Sequence, residues 1–131
     1  MRKELKISSN SENLREVEKF VDEVSAELSL NDEIYGNLLI ATLEAANNAI
    51  LHGNKGMEDK FVEILLTKEK YKLILRVQDQ GPGFDYQHIP DPTSPENIEK
   101  INGRGVFLME KLSDEIFFFE NGSKVELVFN L

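Results

Sequence analysis

Residues 37–53 read Asn37-Leu38-Leu39-Ile40-Ala41-Thr42-Leu43-Glu44-Ala45-Ala46-Asn47-Asn48-Ala49-Ile50-Leu51-His52-Gly53. Placed at about 100° per residue, Asn37, Glu44, Asn47 and Asn48 gather within roughly 60° of Glu44. Leu38, Leu39, Thr42, Leu43, Ala45, Ala46, Ala49 and Ile50 take the rest of the girth. A helix this apolar is largely buried. Its polar wedge then faces water, a cavity or a ligand. A solvent-facing edge fits the spacing. The composition favours a functional wedge, because it holds three asparagines, which are poor helix formers, and no lysine or arginine.

Upstream, residues 3–8 read as a short strand. Ser9 with Glu12 matches a capping box, and Leu14, Val17, Val21, Val24 and Leu28 recur at helical spacing. Asn31 is placed to cap the second helix, which runs to about His52-Gly53. Downstream, Phe61–Thr67 and Tyr71–Asp79 read as strands joined by Lys68-Glu69-Lys70. Residues 80–102 form one long irregular stretch of the kind that makes lids and binding loops. Val106, Met109 and Leu112 mark a short helix, and the strands Ile116–Glu120 and Ser123–Leu131 flank the hairpin dipeptide Asn121-Gly122. The order is β-α-α-β-β-loop-α-β-β. It implies an α+β two-layer sandwich, a mostly antiparallel mixed sheet with helices on one face.

Composition bounds the function. At 131 residues the chain suits a single domain spanning 1–131, long enough to bury a core unaided. It has no cysteine, which excludes disulfide scaffolds, thiolate zinc sites and thiol catalysis. Net charge is −9, so no broad basic face holds nucleic acid. Backbone amides and a metal ion can still neutralise a bound phosphate. No apolar run reaches membrane-spanning length, and the start, Met1 to Asn10, lacks a signal-peptide core. The expected location is cytoplasmic, with no membrane contact.

Three further polar positions break the pattern. Strand parity puts Asp79 on the inward face with Tyr71, Leu73, Leu75 and Val77. It opens Asp79-Gln80-Gly81-Pro82-Gly83-Phe84-Asp85, whose glycines permit close approach to a ligand; an ordinary Gly-Pro turn also fits. Gly103-Arg104-Gly105 precedes the short helix, where free N–H groups suit phosphate and a plain helix entry fits equally. Ser123 shares the inward parity of Val125, Leu127, Phe129 and Leu131, or serves only the adjacent hairpin. His52 reads as a structural helix-end residue, because H-E-x-x-H is absent and an amide is a poor transition-metal ligand.

In order, these segments resemble the GHKL ATPase superfamily, whose nucleotide-binding domain is the Bergerat fold. Glu44 to Gly53 is similar to its N box, Asp79 to Asp85 to its G1 box, and Gly103-Arg104-Gly105-Val106-Phe107-Leu108-Met109 to its G2 box. The resemblance covers essentially the whole chain. Within the superfamily it is nearest to the anti-sigma-factor serine kinases, through Glu44 four before Asn48, His52-Gly53, Pro90 to Asn97, and Leu112-Ser113-Asp114-Glu115-Ile116.

The resemblance implies an ATP- and Mg²⁺-dependent serine/threonine-protein kinase. Such proteins are small cytoplasmic homodimers that bind a sigma factor and phosphorylate a serine on a STAS-domain anti-anti-sigma partner. It implies Glu44 as catalytic base and Asn48 as the Mg²⁺ ligand. Asp79 would accept from the adenine amino group, with Gly81 and Gly83 passing under the base. Gly103, Arg104 and Gly105 would bind phosphate at the end of an ATP lid spanning about 84–104. Ser123 falls where a hydroxyl lies near adenine, but Lys124 stands where a second threonine is common. A non-catalytic, nucleotide-dependent binding module and a detached histidine-kinase-type ATPase domain remain the alternatives. Against the latter, that class usually lacks a glutamate at the place of Glu44.

Overall fold

The computed structural model describes residues 1–83 and 101–131, without the side chains of 101–104. Five strands form one sheet in the order β1-β2-β3-β5-β4, and every pairing in it is antiparallel. The strands are β1 (Arg2–Ser8), β2 (Phe61–Glu69), β3 (Lys72–Gln78), β4 (Glu115–Phe119) and β5 (Lys124–Asn130). The helices are α1 (Leu14–Leu28), α2 (Asp32–Asn48) and α3 (Ile101–Leu112). The α+β architecture and the element order are those expected from the sequence.

Alternation builds the core. Leu66, Leu75 and Leu127 face one another across β2, β3 and β5, as do Ile64, Val77 and Val125. These side chains form one buried cluster with Val17, Val21 and Val24 of α1, Leu38, Ala41 and Ala45 of α2, and Val106 and Met109 of α3. The helices therefore cover one face of the sheet. The opposite face carries polar residues such as Arg76, hydrogen-bonded to Glu126 on the facing strand.

The helix ends follow local chemistry, with one correction. Asn31 Oδ1 accepts from Ile34 N–H at 2.9 Å and caps α2 as expected. Ser9 does not cap α1. It is buried, and its hydroxyl donates to the Lys60 carbonyl at 2.8 Å. Asn10 caps instead, accepting from Glu12 N–H at 2.9 Å at the head of a short 3₁₀ turn that leads into α1. A long-range bond to the Lys60 backbone carbonyl has taken the hydroxyl that the capping box would use. Tyr71 also departs from its expected inward place: it precedes β3 and is 77% exposed.

The glycines Gly103 and Gly105 do not precede a helix. α3 begins at Ile101, so Gly103-Arg104-Gly105 lies within its first turns. Helix propensity is a weak prior that tertiary packing overrides. Residues 84–100, including Phe84-Asp85, Pro90 to Asn97 and most of the expected lid at 84–104, lie outside the described residues. Among the described residues, no helix is long and apolar enough to cross a membrane.

Candidate functional site

The end of α2 is not a simple stop. After Asn48 the helix widens into a π turn, Ala49–Gly53, closed by Asn54 N–H donating to the Ala49 carbonyl at 2.8 Å. Such turns are frequent at functional sites. This one brings the backbone of Gly53 against the end of β3. A cavity opens there between α2, α3 and the sheet. Its apolar walls include Ala45, Ala49, Val77, Val106, Met109 and Val125, and its polar groups come from Asn48, His52, Asp79 and Ser123. An apolar pocket with a few convergent polar groups is the usual form of a small-molecule site.

Asp79 sits beside Val77 in this wall, half-buried just past the last residue of β3. Its N–H donates to the Ser123 carbonyl at 2.9 Å, which ties it to the start of β5. Its Oδ1 accepts from Gly81 N–H at 2.8 Å. Burial raises the carboxyl above its ordinary pKa, against the opposing pull of the Gly81 N–H and the Lys60 charge. Ser123 is buried, and its hydroxyl donates to the Glu120 carbonyl at 2.9 Å. That bond uses the donor and leaves the oxygen's lone pairs as acceptors.

The glycines are required by crowding. A Cβ on Gly53 would overlap the Asp79 carboxylate, and one on Gly81 would overlap the Gly53 carbonyl. Gly83 has φ +87°, and a Cβ there would overlap the Asn121 carbonyl. The turn after Asp79 is therefore threaded between the π turn and the β4–β5 hairpin.

At the other end of the site, Asn48 meets α3. A Cβ on Gly105 would lie 2.6 Å from Asn48 Nδ2, which explains a glycine inside that helix. Asn48 Oδ1 is buried and has no hydrogen-bond partner among the described residues. A buried acceptor left unpaired carries a desolvation cost, so its persistence calls for a missing partner. An amide oxygen is a hard ligand of the kind Mg²⁺ takes, and Mg²⁺ needs few protein ligands because it keeps waters and phosphate oxygens. Among the described residues, no cluster of three or more His, Cys, Asp and Glu is placed for a metal ion. A single hard amide oxygen would fit Mg²⁺.

Of the residues singled out in the sequence, Asn48, Asp79, Gly83 and Ser123 wall the cavity. Gly81 packs on Gly53, and Gly105 packs on Asn48. Glu44 is half-buried, one turn before Asn48 on α2, and is not among the described residues that wall the cavity. Gly103 and Arg104 lie in α3. Two residues gain a place that sequence reasoning did not give them. His52 lies in the cavity wall, largely exposed, and partial desolvation lowers its imidazole pKa. Asn54 is wholly buried behind Asp79. Its only sequence mark is its position straight after His52-Gly53.

Known proteins resemble most of this chain. The histidine kinase-like ATPase domain matches residues 7–129. Serine-protein kinase RsbW of Listeria monocytogenes serovar 1/2a is 28% identical over 109 residues, covering 78% of this chain and 69% of that protein. Serine-protein kinase RsbW of Listeria innocua serovar 6a is 30% identical over the same shares. The anti-sigma F factor of Bacillus cytotoxicus is 34% identical over 84 residues, covering 61% of this chain and 56% of that protein.

Proposed function

The chain belongs to the histidine kinase-like ATPase family of the GHKL superfamily, and from that premise we propose that it is an ATP- and Mg²⁺-dependent serine-protein kinase of the anti-sigma-factor type. The substrate is a serine on a STAS-domain anti-anti-sigma protein. The chain works in the cytoplasm as a homodimer that also sequesters a sigma factor, without touching nucleic acid or membrane. The observation that carries the reading is the buried Oδ1 of Asn48, unpaired among the described residues. It lies one helical turn from Glu44 on α2, at a cavity that also holds Asp79.

Each residue has a role that its surroundings support. Asp79 accepts from the exocyclic amino group of adenine, and its half-buried setting makes a mismatched base costly. Gly81 and Gly83 keep side chains out of the space under the base. Ser123 adds an acceptor beside Asp79. Asn48 ligates Mg²⁺, which when bound neutralises phosphate charge and orients the transferred group. Gly103, Arg104 and Gly105 bind phosphate from the first turns of α3, where the positive end of the helix dipole favours anions.

Glu44 accepts the proton of the attacking serine hydroxyl. The serine oxygen forms a bond to the terminal phosphorus as the bond to the bridging oxygen breaks, and ADP leaves. A half-buried place one turn before Asn48, outside the described residues that wall the cavity, suits a group that must meet a partner's side chain. The test is titration calorimetry with ATP and Mg²⁺, followed by phosphate transfer to a candidate STAS protein. Absence of binding heat would remove the nucleotide reading. Binding without transfer to any STAS protein would leave the non-catalytic binding module.

A further inference from the structure

Asn54 stands just past the π turn, completely buried. Both hydrogens of its side-chain amide are used: Nδ2 donates to Ser9 Oγ at 2.8 Å and to the Phe61 carbonyl at 2.9 Å. Its Oδ1 accepts from Gln80 N–H at 2.7 Å. One side chain thus joins the residue after β1, the first residue of β2 and the turn that leaves Asp79. The Gln80 side chain closes the network, with Oε1 accepting from Phe61 N–H at 2.6 Å.

The attachment point is what gives Asn54 its meaning. Gln80 lies between Asp79 and Gly81, and Gly81 N–H donates to Asp79 Oδ1. Asn54 therefore holds the Asp79–Gln80 peptide, and the N–H of the next peptide, Gln80–Gly81, holds the Asp79 carboxylate. On its other side the carboxylate abuts Gly53, the residue before Asn54. An apolar side chain could fill the same space, but it would leave the Gln80 N–H and the Phe61 carbonyl without these partners. Groups that must hold a narrow angle need such support behind them.

We propose that Asn54 is a positioning residue for base selection, aiming the Asp79 carboxylate at the exocyclic amino group of a 6-aminopurine by fixing the backbone of Gln80, between the peptide that Asn54 holds and the one that holds the carboxylate. This rests on the nucleotide-binding reading above. Asn54 touches no ligand itself, so a mere structural strut and a positioning residue differ in one readout. A strut, when cut, weakens all nucleotides alike. A positioning residue, when cut, changes the ratio between bases.

The experiment measures dissociation constants for ATP and ITP with Mg²⁺ in the full chain, by titration calorimetry. ITP carries a carbonyl oxygen where ATP carries the amino group. The wild type should prefer ATP. Asn54→Ala should lower that preference by about tenfold, the worth of one well-aligned buried hydrogen bond, chiefly through weaker ATP binding. Ser9→Ala, which removes a partner on the far side of Asn54, should lower the melting temperature and leave the ratio unchanged. A folded Asn54→Ala with an unchanged ratio would overturn the inference while leaving the nucleotide reading intact. A wild type that does not distinguish ATP from ITP would overturn both. Should Asn54→Ala fail to fold, hydrogen exchange on the nucleotide-free wild type decides. The Gln80 amide should be protected, and exchange at the open-chain rate would overturn the proposal.

Discussion

Gly53 and Asp79 come from distant parts of the chain and touch so closely that a Cβ on the glycine would overlap the carboxylate. Gly53 shows no left-handed φ, so alanine there is not strained by its backbone. Any effect of Gly53→Ala must come from displacing the Asp79 side chain. The variant should therefore fold with near-native circular dichroism and bind ATP about tenfold or more weakly, as expected for a lost buried hydrogen bond. Native affinity in Gly53→Ala would mean that Asp79 does not meet the nucleotide.

Asp79 should trade stability for binding. Burial raises its carboxyl pKa above the ordinary carboxylate value. The folded chain then holds that proton more tightly than the unfolded chain does. The stabilisation linked to the proton is full below the unfolded pKa and is lost as pH rises through the folded pKa. Asp79→Asn removes this loss and keeps an oxygen for Gly81 N–H. Its melting temperature should exceed that of the wild type at neutral pH, with the gap closing as pH falls below the raised pKa. Its ATP affinity should fall, because a neutral amide is a weaker acceptor for the amino group. A gap that widened toward low pH would reverse the sign of this argument.

Gly105→Ala offers a test at the other end of the site. In an exposed helix interior the change should stabilise by about 1 kcal/mol. Here the added methyl meets Asn48 Nδ2 at 2.6 Å, so the amide must move. The gain in denaturant midpoint should shrink or reverse, and Mg²⁺-dependent nucleotide binding should weaken. Full stabilisation with unchanged Mg²⁺ dependence would show that the Asn48 amide is not held for a metal.

The elements, and the convergence of Asn48, Asp79 and Ser123 on one cavity, are legible in the sequence because their causes are local. Leu14 to Leu28 at helical spacing, the Asn31 cap and the alternation of Leu73, Leu75 and Val77 each report a short-range rule. Asp79 was found by parity alone. What escaped depends on distant contacts. Ser9 has the spacing of a capping residue, yet Lys60 and Asn54, about fifty residues away, claim its hydroxyl. Gly103 and Gly105 look like a helix break until the second is seen against Asn48. Asn54, flanked by Gly53 and Lys55-Gly56, has the composition of a loop. Only the folded sheet shows it to be buried, with Gln80 bonded to it across 26 positions.

Glu44 should separate chemistry from binding. It lies on the same helix as Asn48 and one turn away, but outside the described residues that wall the cavity. Its removal therefore leaves the Asp79 carboxylate and the Asn48 amide in place. Glu44→Ala should keep ATP affinity within a few fold and stay folded. Phosphate transfer to a STAS-domain substrate should fall by roughly 10²–10⁴, the usual worth of general acid–base help. Glu44→Gln should behave alike, since it keeps shape and hydrogen bonding but cannot take the proton. The two variants together guard against a purely steric cause. If both retained full transfer, the proton would leave by another route and Glu44 would hold no catalytic role. If Glu44→Ala abolished ATP binding while Asp79→Asn left it intact, the roles of the two carboxylates would have to be exchanged.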